Sequence, residues 1–188
     1  MSWKERAMVP SGQLTSSVLQ ALLQDGKFAG SWTLDATRSE VRLESRVFGV
    51  VPVKGVFRQV TGNGMVSAAG DITGTITVAA RSVDTKTKKR DEHLRSADFF
   101  DVDNHPDITV TVASIRPGSG GVRVTGTLTV RGRTRPVSFD AKVSSPDGEA
   151  WLDGEVQVNR ADFGLTWSPL GMASMHNTIT FHAVLTRQ

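Results

Sequence analysis

Apolar and polar residues alternate with a period of two over most of the chain after Trp32. In the clearest segment, residues 39–47, one face carries Val41, Leu43 and Val47, and the charged residues Glu40 and Arg42 lie on the other face. Successive side chains of a β-strand point to opposite faces, so this pattern predicts a strand with one buried and one solvated side.

The same alternation recurs in about eight segments joined by short turns rich in Gly, Pro, Asn and Asp. Further strands are predicted near residues 53–57, 65–69, 72–78, 108–112, 122–130, 137–143, 152–158 and 179–185. Gly62, Asn63 and Gly64 are interpreted as a hairpin turn before the strand that starts at Met65.

Four glycines, Gly55, Gly74, Gly126 and Gly154, fall on the apolar faces of these strands. Glycine eases tight curvature of a strand, and sequential strands with no leftover apolar face favour a closed barrel over a flat sheet, which would leave an exposed edge. We therefore predict an all-β fold, an extended eight-stranded antiparallel barrel of the up-and-down type. Its inward side chains are mostly small, so an unfilled cavity is expected inside.

The first thirty residues follow a different pattern. Leu14, Val18 and Leu22 recur every four residues, Thr15 stands at the start of this run, and Gly26 follows its end. This spacing predicts a helix at about 14–24 that packs its apolar face on the domain. The chain is accordingly divided into an N-terminal extension, residues 1–30, and a barrel domain, residues 31–188.

Residues 81–106 have neither period, and residues 90–106 are dense in charged side chains. We predict a short helical insertion that caps the barrel, with Phe99 and Phe100 turned inward. A local ionic network, in which Arg90 meets Asp98, Asp101 or Asp103, is one interpretation. The other is that Arg90 and His93, beside two lysines, face an anionic head group at the barrel mouth, because a guanidinium fork suits phosphate.

Composition and charge exclude several classes of protein. The 188 residues carry a net charge of +3 with scattered basic residues, so binding of nucleic acid is not indicated. The absence of Cys excludes disulfides and thiol chemistry. No apolar run is long enough for a transmembrane segment, and the N-terminal sequence lacks the pattern of a secretory signal, which predicts a cytoplasmic protein.

Catalytic and metal-binding patterns were sought without success. The four histidines do not have the local spacing of a metal site, and no G-x-S-x-G sequence is present. The predictions are therefore no enzyme activity, no metal and no cofactor.

A set of short motifs, in order and correctly spaced over residues 32–187, resembles the YceI-like family of lipocalin-like domains. The motifs are Trp32-Thr33-Leu34-Asp35, Arg38-Ser39, Val53-x-Gly55-x-Phe57, Ser82-Val83-Asp84-Thr85, Arg90-Asp91-Glu92-His93-Leu94, Asp98-Phe99-Phe100-Asp101, Pro106-x-Ile108, Thr125-Gly126-Thr127-Leu128-Thr129-Val130, Gly132 with Thr134-Arg135-Pro136-Val137, and Asn159-Arg160-x-Asp162-Phe163-Gly164. The chain departs from the family's pattern at Arg38, Val47 and Arg131, where relatives often carry His.

The resemblance implies a bacterial lipocalin-like barrel with a tunnel for a polyisoprenoid lipid or an isoprenoid quinone, acting as a carrier or in storage. The inward residues proposed to bind this lipid are Val41, Leu43, Phe57, Ile76, Val78, Phe99, Phe100, Ile108, Val110, Leu128, Phe139, Phe163, Leu165 and Phe181. The alternative is a ligand-free barrel that acts as an interaction or stress-related scaffold module. The expected partner is a small hydrophobic lipid, and transient membrane contact and a two-fold homodimer remain open.

Overall fold

The computed structural model describes residues 14–118, 120–168 and 171–188. In these ranges the chain forms two α-helices and eleven strands. The helices are α1 (Ser16–Gln24) and α2 (Lys88–Arg95). The strands are β1 (Gly30–Leu34), β2 (Glu40–Val47), β3 (Val51–Phe57), β4 (Val60–Val66), β5 (Ile72–Ala79), β6 (Val83–Asp84), β7 (Asp107–Gly118), β8 (Gly121–Val130), β9 (Arg133–Ser144), β10 (Ala150–Asn159) and β11 (His176–Arg187).

Eight of the strands close into an antiparallel barrel in the order β1-β4-β5-β7-β8-β9-β10-β11, with β11 paired back to β1. The fold class predicted from the alternation is confirmed. The remaining strands, β2, β3 and β6, continue the sheet from β11 at one end of the barrel. The barrel wall at that end is therefore completed by other parts of the chain.

Strand β11 changes its partner along its length, and the corner between β1 and β2 bridges the change. Its C-terminal residues pair with β1 and residues 178–182 pair with β2. At the junction, the Val184 N–H donates to Ser39 Oγ at 3.0 Å, and the Val184 carbonyl accepts from the Asp35 N–H at 2.8 Å. The Ser39 side chain and the Asp35 backbone thus replace the hydrogen bonds that a neighbouring strand would make to Val184, because buried backbone N–H and carbonyl groups need partners.

Replacing Ser39 by alanine is expected to lower the free energy of unfolding by about 1–3 kcal/mol, because it leaves the Val184 N–H unpaired in the interior. Val184 is only 1% exposed, so water cannot replace the hydroxyl. Urea unfolding followed by circular dichroism measures the change. The variant Ser39→Thr keeps a hydroxyl and should stay close to the wild type; equal losses in both variants would contradict this role.

The same corner carries an ionic cluster on the outside of the barrel. The Arg38 guanidinium contacts Asp35 and Glu149, each at 2.7 Å, and Glu149 also accepts from Trp151 Nε1–H at 2.8 Å. The Thr37 hydroxyl and then Arg38 hold the pKa of Asp35 well below its ordinary value of 3.8. Arg38, and then Trp151, lower the pKa of Glu149 from its ordinary 4.5.

This cluster predicts a pH-dependent effect of Arg38→Gln. Carboxyl groups with a lowered pKa in the folded state stabilise it above their ordinary pKa, and this contribution disappears as pH falls through the folded-state value. The variant should therefore melt at a lower temperature than wild type at pH 7, and the difference should shrink as pH falls below about 4. Thermal melts across pH test this, with the exposed Arg116→Gln on β7 as control. A difference that is constant with pH would contradict it.

The turn predicted at Gly62–Gly64 is wrong. These residues lie in the middle of β4 and pair with residues 74–76 of β5. A Cβ placed on Gly74 would lie 2.7 Å from the Asn63 carbonyl oxygen, and one on Gly64 would lie 3.2 Å from the Thr73 carbonyl oxygen. Glycine here allows the backbones of β4 and β5 to approach each other closely, which is its other common use in sheets.

Helix α1 closes one end of the barrel. The Thr15 hydroxyl accepts from the Val18 N–H at its start. Leu19 and Leu23, spaced by four, are buried in a core cluster that also contains Trp32. The Leu14 N–H donates to the Val143 carbonyl of β9, which ties the approach to the helix to the sheet. The apolar stripe of the helix thus faces the barrel interior.

Candidate ligand tunnel

Two apolar cavities lie end to end inside the barrel. The helix-side chamber has a volume of about 140 Å³ and extends from Leu19 and Leu23 of α1 towards the barrel centre. The loop-side chamber has a volume of about 150 Å³ and extends from the centre towards Phe99 and Phe163 at the opposite end. Valine, isoleucine, leucine and phenylalanine make up most of both walls.

A girdle of five residues separates the chambers and lines both of them. Its members are Ile76 on β5, Val110 on β7, Phe139 on β9, and Phe181 and Ala183 on β11. Ile76 and Val110 are directly paired, and the rings of Phe139 and Phe181 meet edge to face at 5.4 Å between centroids. These two aromatic rings therefore stand where the two chambers meet.

Gly154 on β10 makes room for this girdle. It is paired with Phe181, and a Cβ at this position would lie 2.4 Å from the Phe181 Cζ atom. The glycine predicted to ease barrel curvature therefore also accommodates the Phe181 ring.

Thirteen of the fourteen residues predicted to line a lipid site are brought together around the loop-side chamber. They are Val41, Leu43, Phe57, Ile76, Val78, Phe99, Phe100, Ile108, Val110, Leu128, Phe139, Phe163 and Phe181. Leu165 is placed differently: it is 4% exposed in the surrounding core cluster and lines neither chamber. The alternation identifies the inward face of a strand, but Leu165 follows a 3₁₀ turn, Arg160–Phe163, where that periodicity does not apply.

The helix-side chamber was not anticipated from the sequence, because four of its lining residues belong to the segment before or at the start of the barrel. They are Leu19, Leu23, Phe28 and Trp32. The signal was present in the apolar stripe of α1, since a helix with such a stripe must bury it against something. The barrel mouth is the surface that it covers.

The insertion between β6 and β7 fills the wall of the loop-side chamber where the sheet ends at β6. The Asp91 carboxylate accepts from the Thr85 N–H at 2.9 Å and from its hydroxyl at 2.5 Å, which fixes α2 to the strand. The rings of Phe99 and Phe100 stand edge to face at 5.0 Å, and Phe100 also contacts Phe57. Polar contacts on the outside thus hold two aromatic rings against the chamber.

The two predicted head-group residues do not line either chamber. The prediction that Arg90 meets Asp98, Asp101 or Asp103 is not borne out, because its guanidinium donates to Thr85 Oγ1 at 2.8 Å, to the Thr85 carbonyl and to Thr87. Thr85 precedes Arg90 by five residues, so the Arg90 side chain reaches back to the segment just before α2. The His93 ring lies 4.0 Å from Trp167 between centroids, tilted by 51°, and its buried Nε2 has no hydrogen-bond partner among the described residues.

Arg160 is the charged residue of the loop-side chamber wall, and it is 3% exposed. Its guanidinium donates to the carbonyls of Trp167 at 2.8 Å and Ser174 at 2.9 Å, to that of Ala173 at 3.3 Å, and to that of Leu165. Burial lowers its pKa. The guanidinium also lies 5.7 Å from the centre of the Phe99 ring. Arg160 therefore holds the loop after Gly164 over the end of the chamber.

Asn177 is the second polar residue at this end of the chamber. It lies on β11 opposite Val158, a residue two positions before Arg160 in the chain, and it is 7% exposed. Its Oδ1 is buried and has no hydrogen-bond partner within the described part of the chain. Buried polar atoms of this kind are rare in native proteins, so this one is available to a polar group of a ligand.

The described residues offer neither a metal cluster nor a membrane-spanning helix. Residues 14–118, 120–168 and 171–188 contain no group of three or more His, Asp or Glu side chains placed to hold a metal ion. Within the same ranges no helix has the length and apolar character needed to cross a bilayer.

Comparison with known proteins gives one family. The YceI-like domain matches residues 32–186. Among curated relatives, a UPF0312 protein of Pectobacterium atrosepticum is 36% identical over 105 residues, covering 53% of this chain and 54% of the relative. The protein YceI of Salmonella arizonae is 35% identical over 105 residues, with the same shares of each chain. The chain thus spans about half the length of the curated relatives that it matches.

Solved structures share the fold. BcnA of Burkholderia cenocepacia superimposes with a TM-score of 0.75 at 24% identity, over 81% of this chain and 99% of that one. A polyisoprenoid binding domain from Saccharophagus degradans gives a TM-score of 0.68 at 18% identity, over 84% of this chain and 98% of that domain. At such identities the similarity concerns the fold alone.

Proposed function

Because this chain belongs to the YceI-like family, we propose that it binds a long hydrophobic lipid of the isoprenoid type inside the barrel, as a carrier or storage protein. The observation that carries the proposal is the pair of apolar chambers that lie end to end and meet at the girdle, where the rings of Phe139 and Phe181 are in contact. The similarity to a polyisoprenoid binding domain supports the same chemistry. Binding of this kind requires no catalytic residues.

The size of the chambers determines how the lipid must bind. An apolar cavity of about 150 Å³ holds one benzene molecule, so each chamber as it stands accommodates about one five-carbon unit. Burying two units gains roughly 8 kcal/mol at about 0.8 kcal/mol per carbon-sized group, which lies within the association cost of about 4–15 kcal/mol. Tight binding therefore requires that the Phe139 and Phe181 rings move aside and admit a longer chain.

The polar group of the lipid is proposed to lie at the loop-side end. Asn177 lines the chamber there, its Oδ1 has no hydrogen-bond partner among the described residues, and Arg160 lies on the same wall. A hydroxyl donates to the amide oxygen, and the carbonyl of an isoprenoid quinone accepts from a guanidinium N–H. His93, whose Nε2 also has no hydrogen-bond partner in the part of the chain that the structure describes, stays a proposed head-group residue beside Trp167.

A second candidate function follows from the closed girdle. If the rings of Phe139 and Phe181 stay in contact, the barrel is largely filled by its own side chains and acts as an interaction or scaffold module. The carrier and the scaffold differ in one property, since only the carrier takes up a lipid.

Native mass spectrometry of the mildly purified chain separates these two functions. We expect a hydrophobic adduct in a one-to-one ratio, or its appearance after incubation with a polyisoprenol. Organic extraction followed by mass spectrometry then identifies the adduct. A protein mass with no adduct before and after incubation would refute the carrier function and leave the scaffold.

Other properties stay predictions. A cytoplasmic location and a two-fold homodimer were predicted from the sequence, and a transient contact with a membrane follows from the chemistry of the cargo. Because a polyisoprenoid is almost insoluble in water, a carrier must collect it from a bilayer and return it to one.

A further inference from the structure

The hairpin between β2 and β3 ends in an apolar tip that the fold does not bury. Residues 47–53, here called the apolar tip, have the sequence V-F-G-V-V-P-V and contain no charge. Phe48 is 66% exposed, Val50 75% and Val51 52%. Single exposed apolar residues are ordinary, but a consecutive run at a projecting turn marks a surface that contacts something else.

The backbone of this turn disfavours the residue that it carries. Phe48 has φ 54° and is followed by Gly49 at φ 71°, and the Val50 N–H donates to the Val47 carbonyl. Turns with two successive residues at positive φ prefer Asn followed by Gly, because Asn tolerates the left-handed region and bulky residues do not. The phenylalanine thus strains the turn and gains no burial within the chain.

Charges flank the apolar tip on both sides. Arg46 precedes it and Lys54 follows it, and both are exposed. Lys86 lies close by, because β3 pairs with β6, and the exposed Lys88 and Lys89 begin α2. Glu44, Asp84 and Glu92 pair with the lysines at 54, 86 and 88. The five basic and three acidic residues leave a net positive charge beside the apolar tip. An apolar insertion with a net positive surround matches the interface of a bilayer that contains anionic lipids.

The apolar tip is connected to the end of the loop-side chamber. The Phe48 N–H donates to the Met172 carbonyl, and the Ser174 N–H donates to the Arg46 carbonyl, each at 2.8 Å. Val47 also forms a bridge with Ala173. The carbonyls of Ala173 and Ser174 in turn bind Arg160, which lines the chamber. The tip is therefore bonded directly to the loop that covers the chamber, and the same loop is held by Arg160.

We propose that the apolar tip inserts into the surface of a lipid bilayer with anionic head groups and places the loop-side end of the tunnel against the membrane. This inference rests on the proposed function in one respect: it names the surface through which a lipid carrier exchanges its cargo. Phe48, Val50 and Val51 supply the apolar insertion. Arg46 and Lys54 contact the lipid phosphates.

Flotation of the full chain with vesicles tests the proposal, using pure phosphatidylcholine and a mixture with phosphatidylglycerol. The wild type should float with the mixed vesicles and more weakly with the neutral ones, and high salt should reduce the difference. The variant Phe48→Asn with Val50→Ser should lose at least about tenfold in partitioning, since it removes two inserting side chains. The control Val18→Ser removes a side chain that is 46% exposed on α1, at the opposite end of the barrel.

Two further measurements keep the outcomes distinct. Phe48→Asn relieves the turn, so its urea midpoint should rise, whereas a merely structural Phe48 would give a fall. Uptake of a short isoprenol in solution should be unchanged in the tip variants, because they leave both chambers intact. The proposal is overturned if the wild type does not float, if the tip variant floats equally well, or if size exclusion shows a dimer that the tip variant dissolves, which would make the tip a contact between copies.

Discussion

The variant Arg160→Met is expected to lose about 2–5 kcal/mol of unfolding free energy, one of the two largest effects predicted for this chain. Its guanidinium satisfies the carbonyls of four residues in the loop over the chamber: Leu165, Trp167, Ala173 and Ser174. Methionine fills similar space but donates nothing, so several carbonyls are left unpaired in a buried setting. Urea unfolding followed by tryptophan fluorescence measures the loss.

The matched control for this prediction is Arg160→Lys. An ammonium group retains the charge and three donors, but it cannot span four carbonyls arranged around a planar fork. We expect a loss between those of the wild type and the methionine variant. A loss below about 1 kcal/mol in Arg160→Met would show that the loop is held by other contacts.

The variant Ala183→Phe should abolish uptake of long isoprenoids, with at least about a hundredfold loss of affinity. Ala183 lines both chambers beside the Phe139–Phe181 pair, so an added ring occupies the passage between them. Overpacking of this kind costs about 1–3 kcal/mol, which a barrel with unfilled volume on both sides can absorb. Titration with a fluorescent polyisoprenol measures the affinity, and a circular dichroism melt checks the fold.

Thr180→Phe adds the same ring on the same strand but on the outer face, where Thr180 pairs with Arg42 and Glu155. This variant should bind like the wild type. Equal affinity of Ala183→Phe and the wild type would show that the lipid does not pass the girdle.

The period of two predicted the barrel because each strand buries one face, and most of the core comes from these inward faces. Ten of the thirteen predicted residues around the loop-side chamber lie on strands, where the alternation gives the inward face; the contact of all thirteen with a lipid stays a prediction. The error at Gly62–Gly64 arose because glycine serves both turns and close backbone approach. Only the pairing with β5 distinguishes the two uses.

The polar end of the tunnel could not be derived from local pattern. Arg160 binds carbonyls up to fourteen residues away, and its burial depends on where the loop returns. Arg90, which the sequence made prominent, reaches only its own turn. Likewise the helix-side chamber depends on α1 lying across the barrel mouth. The amphipathic pattern of α1 predicts that the helix buries its apolar face, but it does not predict which surface of the barrel covers that face.

If the two chambers form one tunnel for a single long tail, the binding affinity must depend on the length of the lipid chain, and this dependence is the most direct test. Isothermal titration of the wild type with isoprenols from about two to about eight units should give an affinity that rises with each added unit until both chambers and the opened girdle are full. Beyond that length the affinity should stay constant. An affinity that does not depend on chain length, or no binding at any length, would contradict the tunnel.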